Sequence, residues 1–286
     1  MRYEAPESVE GAVALLAGAK GETRVLAGGT DLLVQMRADL VDTELIVDIK
    51  KIHETRAVTE EKGGWRIGAA VTGAELRENA RLKKAWPGVV EAANLIGSTQ
   101  IQGRATLGGN LCNGSPAADS VPALIAAGAM ASLAGPNGRR DLPVEDVMLG
   151  PRKLALTKGE IVVSFLLPPR PARSSDAYLR FIPRTEMDIA VVGAGVALTL
   201  DRDSVITAAR VSLGAVAARV LLVSEAAQAI IGSRLDKPAQ DRLEAAARAA
   251  CRPIDDKRGT TEFRIDVAAV LARRSALIAL DRARTN

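Results

Sequence analysis

Two segments of the sequence combine paired glycines with small hydrogen-bonding side chains, which core packing alone does not demand. The first runs Leu26-Ala27-Gly28-Gly29-Thr30-Asp31-Leu32 and directly follows a predicted strand over residues 23–26. Paired glycines allow positive φ angles and let backbone N–H groups approach a ligand closely, which suits a phosphate or pyrophosphate. Thr30 adds a hydroxyl donor, and Asp31 can hold the loop or bond a ligand hydroxyl. Taken alone, such a pair is more often an ordinary turn.

The second segment repeats this pattern at another Gly-Gly pair. It runs Thr106-Leu107-Gly108-Gly109-Asn110-Leu111-Cys112-Asn113-Gly114-Ser115-Pro116-Ala117-Ala118-Asp119. We predict one long polar loop over about residues 98–119, and a loop of this length in an otherwise apolar chain favours a binding site. Each Gly-Gly pair opens a different predicted α/β unit. We call the two segments the first and second glycine loops, and together they favour one elongated ligand held between the units.

Other chemistry has few residues to support it. Two cysteines, Cys112 and Cys251, cannot hold an iron–sulfur cluster, which normally needs four ligands. The single histidine, His53, excludes the usual multi-histidine zinc and iron sites. We therefore predict no metal site and no catalytic residue in this chain. Cys112 is expected to be a small buried thiol. Gly193-Ala194-Gly195 lacks the third glycine of a dinucleotide fingerprint, so it is predicted to be a strand.

The composition excludes several classes of partner. Only three Phe, two Tyr and two Trp are present, so the chain lacks an aromatic platform for stacking nucleic-acid bases. The net charge of +4 is mild, and no long basic tract indicates DNA or lipid binding. No apolar run is long enough to span a membrane or to form a signal peptide, so a reduced cytoplasmic setting is expected. The more basic C-terminal stretch is either a solvated helix face or a docking surface for a partner subunit.

Periodicity predicts an α+β chain with two domains. Ser8 is expected to cap a first helix, and Thr72 with Glu75 to form a capping box. Strands are predicted over residues 23–26, 45–49, 65–71, 130–133, 161–167, 177–182, 191–200 and 205–216, and helices over 88–96, 224–231, 239–250 and 263–280. The Pro168-Pro169 turn marks a boundary. We predict an N-terminal domain over 1–168, with subdomains over about 1–55 and 56–168, and a C-terminal domain over 174–286 with three antiparallel strands.

The two glycine loops resemble the flavin-binding signatures of the medium, FAD-binding subunits of xanthine dehydrogenase-type molybdenum hydroxylases, a family that includes carbon monoxide dehydrogenase. The resemblance covers the whole chain, including Ser115–Asp119, Arg184-Thr185-Glu186-Met187-Asp188-Ile189-Ala190 and Asp256-Lys257-Arg258-Gly259. Together these motifs are highly specific, whereas either Gly-Gly pair alone is not. Thr30-Asp31 is more similar to the xanthine and aromatic-heterocycle branch than to the carbon monoxide branch.

The resemblance implies a fold and a set of FAD contacts. The fold is a two-part FAD-binding domain of the vanillyl-alcohol oxidase type followed by a smaller α+β domain. The backbone of Leu26, Ala27, Gly28, Gly29, Thr30, Asp31 and Leu32 would wrap the FAD pyrophosphate. Thr106, Gly109 and Asn110, with Gly108 in the same loop, would contact the phosphates or the isoalloxazine edge. Ile161 or Val162 would pack against the ring, and Arg180 stands where relatives often carry a lysine.

Asp119 has two interpretations at this stage. As a structural residue it caps a helix that begins near Val121. As a functional residue, which the resemblance favours, it points its carboxylate at the polar edge of the flavin or at its ribityl chain.

The function that the resemblance implies is electron transfer within a larger complex. A large partner subunit would carry the molybdenum cofactor and oxidise the substrate, and a small partner would carry two [2Fe–2S] clusters. Electrons would reach the FAD of this chain and leave for an acceptor, in an expected dimer of heterotrimers. The alternatives are a self-sufficient flavin oxidase of the vanillyl-alcohol oxidase type and an interaction protein that has lost its flavin. The sole histidine and the intact glycines argue against them.

Overall fold

The first unit of the chain is a small parallel sheet with short helices. The computed structural model describes residues 1–286, and the sheet has the order β1-β3-β2, with both pairs of strands parallel. Ser8 accepts a hydrogen bond from Gly11 N and begins α1, as predicted. The elements are β1 Arg2–Glu4, α1 Val9–Gly18, β2 Thr23–Leu26, α2 Leu32–Arg37, β3 Leu45–Asp48 and α3 His53–Arg56. The first glycine loop therefore leaves the carboxyl end of β2.

The second unit is a five-stranded antiparallel sheet with helices inserted between its strands. The strand order is β4-β5-β10-β6-β7. The predicted capping box of Thr72 and Glu75 is confirmed at the start of α4. The elements are β4 Val58–Glu61, β5 Gly64–Gly68, α4 Gly73–Glu78, α5 Ala80–Ala85, α6 Pro87–Ala93, α7 Thr99–Gln102, α8 Leu107–Cys112, α9 Ser120–Ala126, β6 Met130–Gly135, β7 Gly138–Pro143, α10 Val144–Val147, β8 Met148–Gly150, β9 Lys153–Leu154 and β10 Ile161–Leu167.

The prediction of one loop over about residues 98–119 is wrong, because α7 and α8 lie within it. Thr106 Oγ1 accepts a hydrogen bond from Gly109 N and so caps α8, whose Leu107 and Leu111 are buried. Each glycine in a helix costs about 1 kcal/mol relative to alanine. Gly108 and Gly109 therefore give this segment a low helix propensity, and the sequence does not predict a helix there. Capping and burial outweigh this cost, and the second glycine loop is in fact a short helix with irregular flanks.

The third unit is an antiparallel sheet covered by helices. It has four strands in the order β11-β12-β13-β14, not the predicted three, because the two-residue β14 is too short to leave a pattern. The elements are β11 Ser174–Phe181, β12 Val192–Leu200, β13 Ile206–Gly214, β14 Leu221–Leu222, α11 Ser224–Gln228, α12 Lys237–Ala250 and α13 Thr261–Thr285. Gly193-Ala194-Gly195 lies within β12, which confirms the predicted strand. A Cβ at Gly195 would lie 2.5 Å from the carbonyl oxygen of Pro122, so this glycine lets α9 pack against the sheet.

The cores are mainly aliphatic, in keeping with the scarcity of aromatic residues, although Trp65, Trp86, Phe165 and Tyr178 belong to the largest cluster. One apolar cluster fills the second unit and another lies between the third sheet and α13. Tyr178 of β11 and Val220 belong to the core of the second unit, so packing crosses the Pro168-Pro169 turn. The domain boundaries at 168 and 174 therefore remain a prediction. No helix is both long enough and apolar enough to cross a bilayer.

Candidate flavin site

The two glycine loops line one cavity between the first and second units. Its volume is about 460 Å³. The first loop reaches it from the end of β2, and the second loop reaches it through α8. Among the residues predicted for the site, those that line the cavity are Ala27, Gly28, Gly29, Thr30, Asp31, Leu32, Thr106, Gly108, Gly109, Asn110 and Val162. The structure thus brings together segments that lie far apart in sequence.

The first glycine loop presents a run of unpaired backbone donors. The N–H groups of Gly28, Gly29, Thr30 and Asp31 form no hydrogen bond within the protein. Gly29 has a φ of +82°, which favours glycine. Consecutive free amides of this kind form an anion-binding nest.

Gly28 has a different reason to be a glycine. A Cβ at this position would overlap the carbonyl oxygen of Arg104, which precedes the second loop. The absence of a side chain therefore lets the backbones of the two loops touch. Gly28 also lines the cavity with an unpaired N–H group, so this packing role stands beside the expected approach to a ligand.

A chain of hydrogen bonds ties the two loops together beside the cavity. Asn113 Nδ2 donates to Asp31 Oδ1 at 3.3 Å, and Gln35 Nε2 donates to Asn113 Oδ1 at 3.1 Å. Desolvation by the surrounding protein raises the pKa of Asp31. Asp31 therefore holds the loop, which is one of the two roles its position predicts.

The second glycine loop forms a cavity wall with no side chain at Gly108 and Gly109, and it carries the unpaired side-chain amide of Asn110. Gly108 N donates to Ala69 O at 3.1 Å, and a Cβ at Gly108 would lie 2.6 Å from that oxygen. A Cβ at Gly109 would meet only Thr106 Oγ1, at 3.0 Å, so Gly109 borders open cavity. Asn110 Oδ1 accepts hydrogen bonds from Ser120 N at 2.9 Å and Ser120 Oγ at 2.7 Å. The Nδ2 group of Asn110 has no partner within the protein.

Asp119 and Arg180 lie outside the cavity lining and form an ion pair. Arg180 Nη1 lies 3.0 Å from Asp119 Oδ2, and both side chains are nearly buried. Burial raises the pKa of Asp119 to about 6, although the Arg180 charge opposes this shift. The helix-cap interpretation of Asp119 is wrong, because its side chain makes no capping hydrogen bond to α9. Ser120, its neighbour, bonds Asn110 and so links the ion pair to the cavity wall.

The opposite wall is largely apolar. Ile161 and Val162 of β10 line the cavity together with Ile49 of the first unit. Leu26 does not line it; this buried side chain packs with Leu32 and Ile46 behind the loop. The wall therefore offers a surface for a flat ring, and Leu26 supports the loop from behind.

Sequence reasoning missed several lining residues that the tertiary structure brings to the cavity. They are Arg24, Gln35, Arg152, Leu154, Leu156 and Glu160, among others. No motif marks them, because the β8–β9 hairpin and its neighbours reach the cavity by packing.

Cys112 also lines the cavity and is exposed, so the prediction of a buried thiol is wrong.

The residues present fit a flavin dinucleotide. Free amides suit a diphosphate, the apolar wall suits an isoalloxazine ring, and Gly109 leaves space between them. His53 lies on α3 and is not part of the lining. No group of three or more His, Cys, Asp or Glu side chains is placed to hold a metal ion.

Comparison with known proteins identifies two family domains in the chain. Residues 1–170 match the FAD binding domain in molybdopterin dehydrogenase. Residues 177–279 match the CO dehydrogenase flavoprotein C-terminal domain.

Individual relatives match over nearly their full length. The carbon monoxide dehydrogenase medium chain of Afipia carboxidovorans is 34% identical, over 99% of this chain and 97% of its own. The xanthine dehydrogenase FAD-binding subunit of Escherichia coli O157:H7 is 30% identical, over 95% and 93%. These identities do not support the expected closeness to the xanthine branch. A Cu,Mo-CO dehydrogenase structure superposes with a TM-score of 0.94 at 33% identity, covering 99% of this chain and 98% of that one. The chain therefore belongs to the FAD-binding medium subunits of the molybdenum hydroxylase family, which includes carbon monoxide and xanthine dehydrogenases.

Proposed function

We propose that this chain is the electron relay of an oxidoreductase complex and performs no substrate chemistry itself. The substrate would be oxidised at molybdenum in a large partner subunit, and a small partner would deliver electrons from two [2Fe–2S] clusters to the FAD of this chain. Bound FAD supplies the redox chemistry, and the protein supplies binding, orientation and electrostatics. The observation that carries the proposal is the cavity that both glycine loops line, with its four unpaired amides.

The residue roles within the site are part of the proposal. The free amides of Gly28 to Asp31 would bind the diphosphate, and Ala27 and Leu32 would flank it. Thr106, Gly108 and Gly109 would shape the opposite wall, where Asn110 Nδ2 would donate to the cofactor. Val162 would pack against the ring, and Leu26 would act only by supporting the first loop.

The ion pair of Asp119 and Arg180 would set the electrostatic environment of the flavin from behind Asn110. At an effective dielectric constant of about 20, a charge about 5 Å away is worth roughly 3 kcal/mol before screening. The Asp119→Asn substitution would then raise the flavin midpoint potential by tens of millivolts, because the loss of a negative charge favours an anionic reduced flavin. If a redox titration at pH 7 shows the same flavin midpoint potential in the variant and the wild type, Asp119 does not act on the flavin.

The FAD is proposed to bind non-covalently, one per chain, because the only histidine lies away from the cavity. Acid precipitation of the purified flavoprotein should leave all of the flavin in the supernatant, in equimolar amount to the chain. Flavin that stays with the precipitate would instead indicate a covalent bond, with Cys112 as the first residue to examine.

The assembly is also a proposal, a dimer of heterotrimers in the cytoplasm. It is supported by relatives named as medium chains or FAD-binding subunits. Co-expression with a large molybdenum-type subunit and a small eight-cysteine subunit from neighbouring reading frames should yield a particle that contains two copies of each chain. Recovery of this chain alone, with no partner retained through size-exclusion chromatography, would contradict the assembly.

A further inference from the structure

One cation in the cavity lining has no protein partner. Four lining residues carry full charges: Arg24, Asp31, Arg152 and Glu160. Arg24 pairs with Glu22 at 3.2 Å, and Glu160 pairs with Arg140 at 2.7 Å. Asp31 accepts a hydrogen bond from Asn113. The guanidinium of Arg152 makes neither an ion pair nor a hydrogen bond, although its fork of donors matches phosphate oxygens well.

The backbone holds Arg152 in a conformation that costs energy. Its φ is +58°, in the left-handed region, at the turn of the two-stranded hairpin of β8 and β9. The turn is held against the end of the second glycine loop, where Arg152 N donates to Gly114 O at 2.9 Å. A Cβ at Gly114 would lie 2.9 Å from the Cα of Arg152, so the two backbones are in contact. Left-handed non-glycine residues are often found at functional sites.

The same contact connects the Arg152 backbone to the first loop through two neighbouring residues of the second loop. Gly114 carries the carbonyl that binds Arg152 N, and its neighbour Asn113 binds Asp31. Asp31 belongs to the unpaired amide run. Residues 113 and 114 therefore link the backbone of Arg152 to the proposed diphosphate nest, and the Arg152 side chain lines the same cavity as that nest.

We propose that Arg152 binds the diphosphate of FAD and supplies the positive charge that the amide nest lacks. The diphosphate carries two negative charges, whereas the oxidised isoalloxazine ring is neutral, so an unpaired cation in the lining favours the diphosphate. The inference rests on the FAD site proposed above. It adds a binding residue from the β8–β9 hairpin, which neither glycine loop contains.

The test compares three variants with the wild-type chain. Arg152→Met removes the charge and keeps much of the apolar stem. Arg152→Gly removes the side chain and suits the positive φ, so the folded apoprotein should not be destabilised. Lys153→Met is the matched control, because Lys153 is an exposed cation that does not line the cavity. Each apoprotein is titrated with FAD by following flavin fluorescence, and the midpoint potential is measured at saturating FAD.

Both Arg152 variants should bind FAD about 10- to 100-fold more weakly than the wild type, as expected for one charge-assisted hydrogen-bonding partner. Their apoproteins should keep wild-type melting temperatures, their bound flavin should keep the wild-type potential, and Lys153→Met should bind as the wild type does. Unchanged FAD affinity in the Arg152 variants would overturn the inference. Weaker binding with a shifted potential would overturn it too, because Arg152 would then contact the ring. A wild-type chain that binds no FAD would instead refute the proposed function.

Discussion

At the scale of single residues, the four paired glycines have separate roles. Gly28 and Gly108 allow close backbone contacts with Arg104 and Ala69, and Gly29 needs its positive φ. All four line the cavity, but only at Gly109 would a Cβ meet no backbone and no apolar side chain, and Gly109 lies in α8 without a positive φ. The sequence places all four at the site, but only the structure shows which of them are also required by a close backbone contact or a positive φ.

The Gly109→Val substitution should therefore abolish FAD binding by bulk, not by backbone strain. The two added methyl groups would occupy the cavity, and we expect FAD affinity to fall by roughly 100-fold or more, about 3 kcal/mol. Far-ultraviolet circular dichroism should remain native. Gly18→Val is the control, because nothing lies near a Cβ at the end of α1. Wild-type FAD content in the Gly109 variant would contradict the assigned site.

Asp119 should make the stability of the apoprotein depend on pH. Burial raises its folded pKa to about 6, above the ordinary value of 3.8, with Arg180 opposing the shift and Tyr178 close by. The folded state then binds a proton more tightly than the unfolded state. The contribution of Asp119 is therefore most favourable below about pH 4 and is lost as pH rises to about 6.

The Asp119→Asn variant cannot lose this proton, so the difference in unfolding free energy between the variant and the wild type should shift in favour of the variant between pH 4.5 and pH 7. Urea unfolding of both apoproteins at the two pH values measures it. A constant difference would show that the Asp119 carboxyl titrates normally.

At the scale of elements, a buried ionic cluster joins α6 to the third unit. Asp176 of β11 accepts a hydrogen bond from Val89 N in the first turn of α6 at 3.1 Å, and its other oxygen lies 3.2 Å from Arg170. The Arg170 guanidinium lies over the ring of Trp86, 4.8 Å from its centroid. Arg282 of α13 pairs with Glu91 of α6 and donates to Asp176 O at 3.0 Å. The cluster fixes the third unit against the second.

Removal of the carboxylate at the centre of this cluster should destabilise the whole chain. Asp176→Ala leaves Arg170 nearly buried without its partner and Val89 N without an acceptor, which costs about 3 kcal/mol or more. Chemical denaturation should show this loss as a lower midpoint. Asp281→Ala on the exposed face of α13 should be neutral. If the two variants unfold alike, the cluster does not hold the units together.

Local sequence patterns predict most elements, and the failures have physical causes. Helix α1 and the start of α4 carry their own caps, and alternation or apolar runs mark β10 and β12. Helix α8 is not predicted because its two glycines lower the helix propensity. Its stability comes instead from the Thr106 cap and from buried leucines, which a local pattern does not show. Strand β14 has two residues and depends on its neighbour β13. Arg152 was missed for a similar reason, since only the packing of a hairpin against Gly114 brings it to the cavity.

At the scale of the whole molecule, the chain contains a flavin-sized cavity and no cluster of metal ligands. The self-sufficient oxidase is disfavoured because the cavity lining contains no histidine and the relatives are named as subunits or chains of larger enzymes. We therefore expect this chain and its partner subunits to divide electron transfer and substrate oxidation between them. This chain should hold and tune a flavin that no substrate reduces directly.

The most direct measurement is the anaerobic visible spectrum of the isolated, FAD-loaded chain mixed with candidate substrates. We predict that the flavin stays oxidised with carbon monoxide, purines, aldehydes and N-heterocycles, after chelation of stray metals, and is fully reduced by dithionite as a positive control. Bleaching of the flavin by any of these substrates would show that the chain catalyses substrate oxidation alone, and would contradict the electron-relay account.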